Sequence, residues 1–273
     1  MSLTLGTGPF GHKPGGQLNS RIDGPRHVLY FEDFPRRIRA ELGGETVIDT
    51  TAGKLLYESS IPPVLYVPLA DVRRDLIEPT DHTSHCPFKG DASYWTVRAG
   101  GRSAENALWG YPEPIESAAW LLGYVAAYRD RFDAWCEEDE PLPHGMIRDP
   151  YHRVEVRSSS ARVTVRANGE TIAVTERPKL LFETGVAPRA YVPLADVRGE
   201  LLVESDKTSF CPYKGTATHW SVRAGDATLA DVAWTFEEPF AESAPTTGFV
   251  SFLGDGIEVE IDREQAAALR PAA

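Results

Sequence analysis

Short alternations of apolar and polar residues dominate the chain. Arg162 to Ala167, RVTVRA, alternates with a period of two and runs into Asn168-Gly169, a strong hairpin signal, before Glu170 to Thr175, ETIAVT. An earlier stretch has the same form: Ile38 to Leu42, then Gly43-Gly44, then Thr46 to Thr50. The pattern predicts further strands at Lys54 to Glu58, Tyr94 to Arg98, Ala107 to Tyr111, His219 to Arg223 and Gly256 to Ile261. The LADVR segments after Pro68 and Pro193 predict one helical turn with proline near its start. Ser117 to Arg131, rich in alanine and leucine, would favour a helix on its own. The segment aligned with it, Ser243 to Gly256, holds Pro245, Thr246, Thr247 and several glycines, which a long helix does not tolerate. Both are therefore read as a turn followed by a strand. The fold class is mainly β, with about eight short antiparallel strands per domain.

The chain repeats itself. An offset of 125 residues (169 − 44) aligns Gly44 with Gly169 through to Glu137 with Asp262 without a gap. About 40% of those positions are identical, which means duplication. Similarity peaks from Tyr66 to Gly100 and from Tyr191 to Gly225. So long a period suits two domains, each with its own core, rather than a solenoid. The expected boundaries are a flexible Gly/Pro/Asn/Ser-rich tail over 1–24, a first domain over 25–137, an acidic, proline-containing linker over 138–150, a second domain over 151–262, and a short helix or frayed end over 263–273.

Charge narrows the possible partners. With 28 basic and 40 acidic side chains the net charge is −12 (28 − 40), which argues against gripping nucleic acid through its phosphates. No apolar run reaches the roughly 20 residues a bilayer requires, and the amino terminus lacks the order of a signal peptide. Three cysteines imply reduced thiols, hence an expected cytoplasmic location.

The most unusual local feature is Cys86-Pro87-Phe88-Lys89-Gly90, matched by Cys211-Pro212-Tyr213-Lys214-Gly215. It predicts a tight turn between a strand ending near Thr83 and one beginning near Ala92, with thiol and ammonium close together. A neighbouring ammonium favours the thiolate, which makes Cys86, Lys89, Cys211 and Lys214 the candidate catalytic residues. Alternatively, the cysteine packs as a small hydrophobe and the lysine pairs a carboxylate. His82 or His85 is a candidate base in the first copy, whereas the second has Lys207 and Phe210 at those positions. Metal binding is not expected, because neither copy has a Cys-x-x-Cys pair or a His-Glu-x-x-His run. No phosphate-binding loop is present, and no particular cofactor is implied. Aromatic positions shared by the copies suggest either core or a ligand pocket. As pocket, Tyr66, Trp95 and Trp109 in the first copy and Tyr191, Tyr213, Trp220 and Trp234 in the second would hold a flat or apolar molecule, with Arg98 or Arg223 and the turn lysine fixing a negative group.

In order along the chain stand Tyr66 to Val72, Thr80 to Thr83, Cys86 to Gly90, Tyr94-Trp95 and Trp109 to Pro114, then Tyr191 to Val197, Ser205 to Thr208, Cys211 to Gly215, His219-Trp220 and Trp234 to Pro239. Through these segments the chain resembles a tandem copy of the family catalogued as domain of unknown function 427. Phe88 and His219 depart from the tyrosines usual there. The resemblance implies compact, mostly β domains of open-barrel or tent-like form, related by pseudo-symmetry, with the Cys-Pro-Tyr-Lys-Gly turn near a cavity. Some catalogues label the family a nucleotidyltransferase domain. Nucleotidyl transfer normally needs paired carboxylates to hold magnesium, and neither copy repeats an Asp-x-Asp. Three functions stay open: a small-molecule binder with one aromatic-walled pocket per domain, an enzyme with Cys86 or Cys211 as nucleophile, or two copies packed on each other as a structural pseudo-dimer.

Overall fold

The computed structural model describes residues 3–11, 13–17 and 27–263. The chain divides into two compact units, Met1–Asp149 and Pro150–Ala273. In unit 1 the strands are β1 (Leu29–Phe34), β2 (Ile38–Leu42), β3 (Glu45–Thr50), β4 (Gly53–Glu58), β5 (Ile61–Pro68), β6 (Ile77–Cys86), β7 (Gly90–Ala99), β8 (Arg102–Pro114), β9 (Tyr124–Ala127), β10 (Ala134–Glu137) and β11 (Glu140–Pro141). Unit 2 has β12 (Val154–Ser158), β13 (Arg162–Ala167), β14 (Glu170–Thr175), β15 (Lys179–Glu183), β16 (Arg189–Pro193), β17 (Leu202–Cys211), β18 (Gly215–Ala224), β19 (Ala227–Phe236), β20 (Phe249–Phe252) and β21 (Ile257–Asp262). The described residues thus hold eleven and ten strands rather than about eight each, because edge strands such as β1 and β12 carry weak alternation.

Each unit is a large open antiparallel sheet covered on one side by a small one. In unit 1 the seven-stranded order is β1-β4-β5-β9-β8-β7-β6, and the four-stranded order is β11-β10-β2-β3. Unit 2 repeats the large sheet as β12-β15-β16-β20-β19-β18-β17, beside a three-stranded β14-β13-β21. Apolar alternation dictates the sandwich. Ile38, Ala40, Leu42 and Ile48 from the small sheet meet Leu55, Tyr57, Val67, Val97 and Leu108 from the large one. Val163, Val165 and Ile172 meet Leu180, Val192 and Val222 in unit 2. The residues between these inward positions form a second apolar layer on the opposite, outer face of each large sheet.

Local signals placed most turns. The Gly43-Gly44 and Asn168-Gly169 hairpins form with positive φ at all four residues. LADVR makes single 3-10 turns at Leu69–Asp71 and Leu194–Asp196. The alanine-rich segment of unit 1 is a 3-10 stretch, Glu116–Leu121, followed by β9, and unit 2 follows suit with Ala244–Thr246 and β20.

The connecting segments carry more contacts than their composition suggests. Residues 138–149, expected as linker, fold into unit 1. β11 pairs with β10, the Leu142 N–H donates to the Trp135 carbonyl at 2.8 Å, and Leu142 and Ile147 pack on the inner core. Part of the expected tail also docks: the Ser60 N–H donates to the carbonyl of buried Thr4 at 2.9 Å, and Ser59 Oγ donates to the Phe10 carbonyl at 3.2 Å. The rest of the expected tail, at residues 1, 2, 12 and 18–24, lies outside the described residues, as do residues 25 and 26 and the C-terminal end after Arg263.

Candidate functional site

The Cys-Pro-x-Lys-Gly turn is tighter than the sequence suggests. β6 runs on to Cys86 and β7 starts at Gly90, so the expected strand limits at Thr83 and Ala92 fall inside the hairpin. The Lys89 N–H closes the turn on the Cys86 carbonyl at 3.2 Å, and Lys214 does the same on Cys211 at 3.2 Å. Gly90 and Gly215 sit at φ +105° and +98°, and a Cβ there would lie 3.2 Å and 3.0 Å from the Glu113 and Glu238 carbonyl oxygens. Glycine is required at both positions, because a side chain would meet both a strained backbone and a crowded neighbour.

The lysine does not stand as a free cation beside the thiol. Lys89 Nζ donates to Glu58 Oε2 at 2.5 Å, and Glu58 Oε1 lies 2.8 Å from His27 Nε2. The His27 ring stacks on Phe88 of the turn at 4.0 Å. Unit 2 builds the same constellation from His152, Glu183 and Lys214, with bonds of 3.0 and 2.6 Å, and the His152 ring lies 4.0 Å from Tyr213. All six side chains are largely buried. Burial alone would raise the Glu183 carboxyl, but the bonds from His152 and Lys214 outweigh it and leave the group lowered to about 2. Each turn ammonium is thus paired with a carboxylate.

Sequence reasoning missed this His–Glu–Lys triad. Its members are spaced 31 residues apart (58 − 27, 89 − 58, and likewise 183 − 152, 214 − 183), and each keeps the 125-residue offset. The signal was therefore present: a histidine and a glutamate matched between the copies. The histidines lie ahead of the densest repeat, and Glu58 and Glu183 read as ordinary polar strand ends.

The outer face gathers some predicted residues and separates others. Tyr66 is fully buried there, with Trp109 and Cys86 half-buried beside it. Tyr191, Tyr213 and Trp234 cluster likewise in unit 2, where Trp234 Nε1 donates to the Tyr191 hydroxyl at 3.3 Å. Burial pushes the Tyr66 hydroxyl well above its usual range, and the Tyr66 ring meets Trp109 edge-on with centroids 6.5 Å apart. Cys86 packs with Tyr111 in this layer and Lys89 Nζ lies 5.8 Å from the centre of the Tyr111 ring, which puts thiol and triad on one side of the sheet; burial raises the Tyr111 hydroxyl. Trp95 and Trp220 point the other way, into the inner cores. Arg98 and Arg223 are exposed at the far ends of β7 and β18, and Arg98 bonds Glu78 and Ser103. The two histidines flanking Cys86 separate as well: His82 touches the Tyr94 ring at 4.4 Å, while His85 bonds Asp91 at 2.6 Å in solvent.

Where the copies differ, polar contacts are partly preserved. Ser84 Oγ lies 2.7 Å from the Tyr94 hydroxyl, and Ser209 Oγ lies 2.9 Å from His219 Nε2. The change from tyrosine to histidine thus keeps a partner for the strand serine. Among the described residues no three His, Cys, Asp or Glu side chains come together in a way that would hold a metal ion, and no helix is long and apolar enough to cross a membrane.

This turn and this sheet occur twice, and so does the family match. The chain belongs to the family described as domain of unknown function DUF427. The family, which also bears the label NTP_transf_9, matches at residues 30–138 and again at 155–263, so the chain is a tandem duplication of one DUF427 domain. No curated protein shows significant similarity to it. Both matches begin after the histidine of the triad.

Proposed function

We propose that each DUF427 unit binds a small, largely apolar molecule across the outer face of its large sheet, next to the Cys-Pro-x-Lys-Gly turn. The carrying observation is that a Tyr–Trp pair, Tyr66 with Trp109 in edge-to-face contact and Tyr191 with Trp234 in a hydrogen bond, recurs on the face turned away from each unit's inner core. The tyrosine is buried while the indole stays half-open, which suits an aromatic wall with one polar tip. In unit 1, Phe31, Tyr124 and Tyr128 extend that wall, with Tyr128 at 4.5 Å from the Trp109 ring.

In this reading the turn lysine belongs to the framework rather than to the ligand, because Glu58 or Glu183 already satisfies it. The same pairing weakens the nucleophile alternative. Exposure does not single out the turn thiols either, since Cys86, Cys136 and Cys211 are all free and all half-buried. Three free thiols suit a reducing compartment, and we place the protein in the cytoplasm on that ground.

The test is a thermal-shift screen of the full chain against a metabolite panel, repeated with Tyr66→Phe, Trp109→Leu, Tyr191→Phe and Trp234→Leu. A compound that raises the melting temperature of the parent chain, with the shift reduced in at least one tryptophan variant, is expected. A panel that yields only shifts unchanged in all four variants, or none at all, overturns the reading.

A further inference from the structure

The two outer faces carry different charge. On the β1–β4–β5 side of unit 1, backbone register places Asp33 opposite Lys54 and Lys54 opposite Tyr66, with Leu56 opposite Val64. The 125-residue offset turns this row into Ser158, Lys179 and Tyr191 in unit 2, with Leu181 opposite Arg189. Two replacements follow: Asp33 becomes Ser158, and Val64 becomes Arg189. Lys54 pairs with Asp33, whereas Lys179 Nζ donates to the neutral Ser158 Oγ at 2.8 Å. Arg189 makes no ion pair among the described residues, and its Cζ lies 5.0 Å from the centre of the Trp234 ring.

Counting the charges on that side makes the contrast quantitative. In unit 1, Lys54 and Lys89 are balanced by Asp33 and Glu58, for a sum of zero (2 − 2). In unit 2, Lys179, Lys214 and Arg189 face Glu183 alone, for a sum of +2 (3 − 1). Such a surplus is notable in a chain whose net charge is −12. The two cations without a carboxylate partner, Lys179 and Arg189, are half-buried against aromatic rings: Lys179 Nζ is 5.7 Å from the centre of the Phe249 ring. Neither cation has a carboxylate partner among the described residues, and a negative group on the ligand would supply one. Guanidinium is suited to this, because it stacks on an indole through its face while its N–H edge remains available to two oxygens at once.

We propose that unit 2, unlike unit 1, selects a planar aromatic ligand bearing an oxyanion, a carboxylate or a phosphate monoester, with Arg189 and Lys179 holding the anion and Trp234 and Tyr191 the ring. The proposal rests on the outer-face reading above and adds the ligand's charge and the unit that takes it. Tyr191 fits the scheme: burial pushes its hydroxyl up to about 12, and Arg189 is among the groups that restrain the rise.

Calorimetric titration of the full chain with 2-naphthoate, 2-naphthyl phosphate and the uncharged 2-naphthamide tests this. One equivalent of at least one anion is expected to bind, about 10-fold or more tighter than the amide, and the stronger of the two anions shows which oxyanion the site prefers. Arg189→Gln should weaken the anion about 10-fold, and Lys179→Gln should weaken it by less. The paired change Asp33→Ser with Val64→Arg, which writes the unit 2 row into unit 1, should raise the stoichiometry to two. Binding of amide and anions with equal affinity, or anion binding indifferent to Arg189→Gln and Lys179→Gln, overturns the charge selection and leaves the apolar outer faces standing. Failure of all three probes to bind overturns both. Should Arg189→Gln not fold, Lys179→Gln and the unit 1 gain of binding still decide the matter.

Discussion

Trp120 and Tyr128 stand 38% and 42% exposed on unit 1, where the offset places Pro245 and Leu253 in unit 2. Phe31 gives way to Val156, Tyr111 to Phe236 and Tyr94 to His219, so unit 2 has the leaner aromatic face and the more positive one. Beneath this difference the two copies keep the same turn, the same His–Glu–Lys triad and the same Tyr–Trp pair. The contrast has a physical reason. A buried ion pair cannot lose one partner without leaving the other charged and desolvated, whereas a half-exposed aromatic can shrink at little cost. The copies thus share a framework and differ in the surface it supports.

The largest effect should come from breaking the framework. Lys89→Met or Lys214→Met strands a buried carboxylate and should cost about 3–5 kcal/mol in urea denaturation of the unit concerned. The cost should be greater in unit 1, where the paired side chains are 10% and 8% exposed, against 15% and 15% in unit 2. Equal or reversed costs would contradict this difference in burial between the two triads.

Acid should act on the same pair more gently. Because the folded Glu183 carboxyl is lowered to about 2 from an ordinary 4.5, its stabilisation is fully present above pH 4.5 and is lost as the pH falls towards 2. Allowing for partial solvent screening, the loss should be about 2 kcal/mol, and Glu183→Gln should remove that part of the pH dependence. A stability curve for unit 2 that stays flat across this window would contradict the proposed bonding.

Smaller still is the effect at the turn, where the comparison predicts equality. Gly90→Ala and Gly215→Ala meet matching obstacles, with positive φ and a carbonyl oxygen 3.2 or 3.0 Å from the new Cβ. Each should cost about 1–2 kcal/mol, measured by denaturation of its unit. A difference of more than about 1 kcal/mol between them would mean that the two turns are not equivalent.

Much of the architecture was legible in advance, where the signal was local. Arg162 to Ala167 alternates cleanly, and β13 spans those same residues. The aligned Pro245 and glycines correctly ruled out a long helix at Ser117 to Arg131. Residues 138–149 misled because acidic and proline-rich composition says nothing of the Leu142 and Ile147 side chains, which find the inner core. Trp95 and Trp109 looked alike as shared aromatics, yet one faces the inner core and the other the outer layer. Irregular register between β7 and β8, near Trp95, breaks the simple alternation on which a facing argument depends.

Sequence alone was enough to establish a duplicated β protein with a Cys-Pro-x-Lys-Gly hairpin in each half, because self-similarity and turn chemistry are properties of neighbouring residues and of the offset between copies. Tertiary structure alone decided what the lysine does. Its partner arrives from β4 or β15, and the histidine from the segment ahead of β1 or β12, strands that lie at the opposite edge of the sheet order from β6 or β17. Such a contact depends on how the open sheet and its loops bring distant chain segments together, which no local pattern encodes.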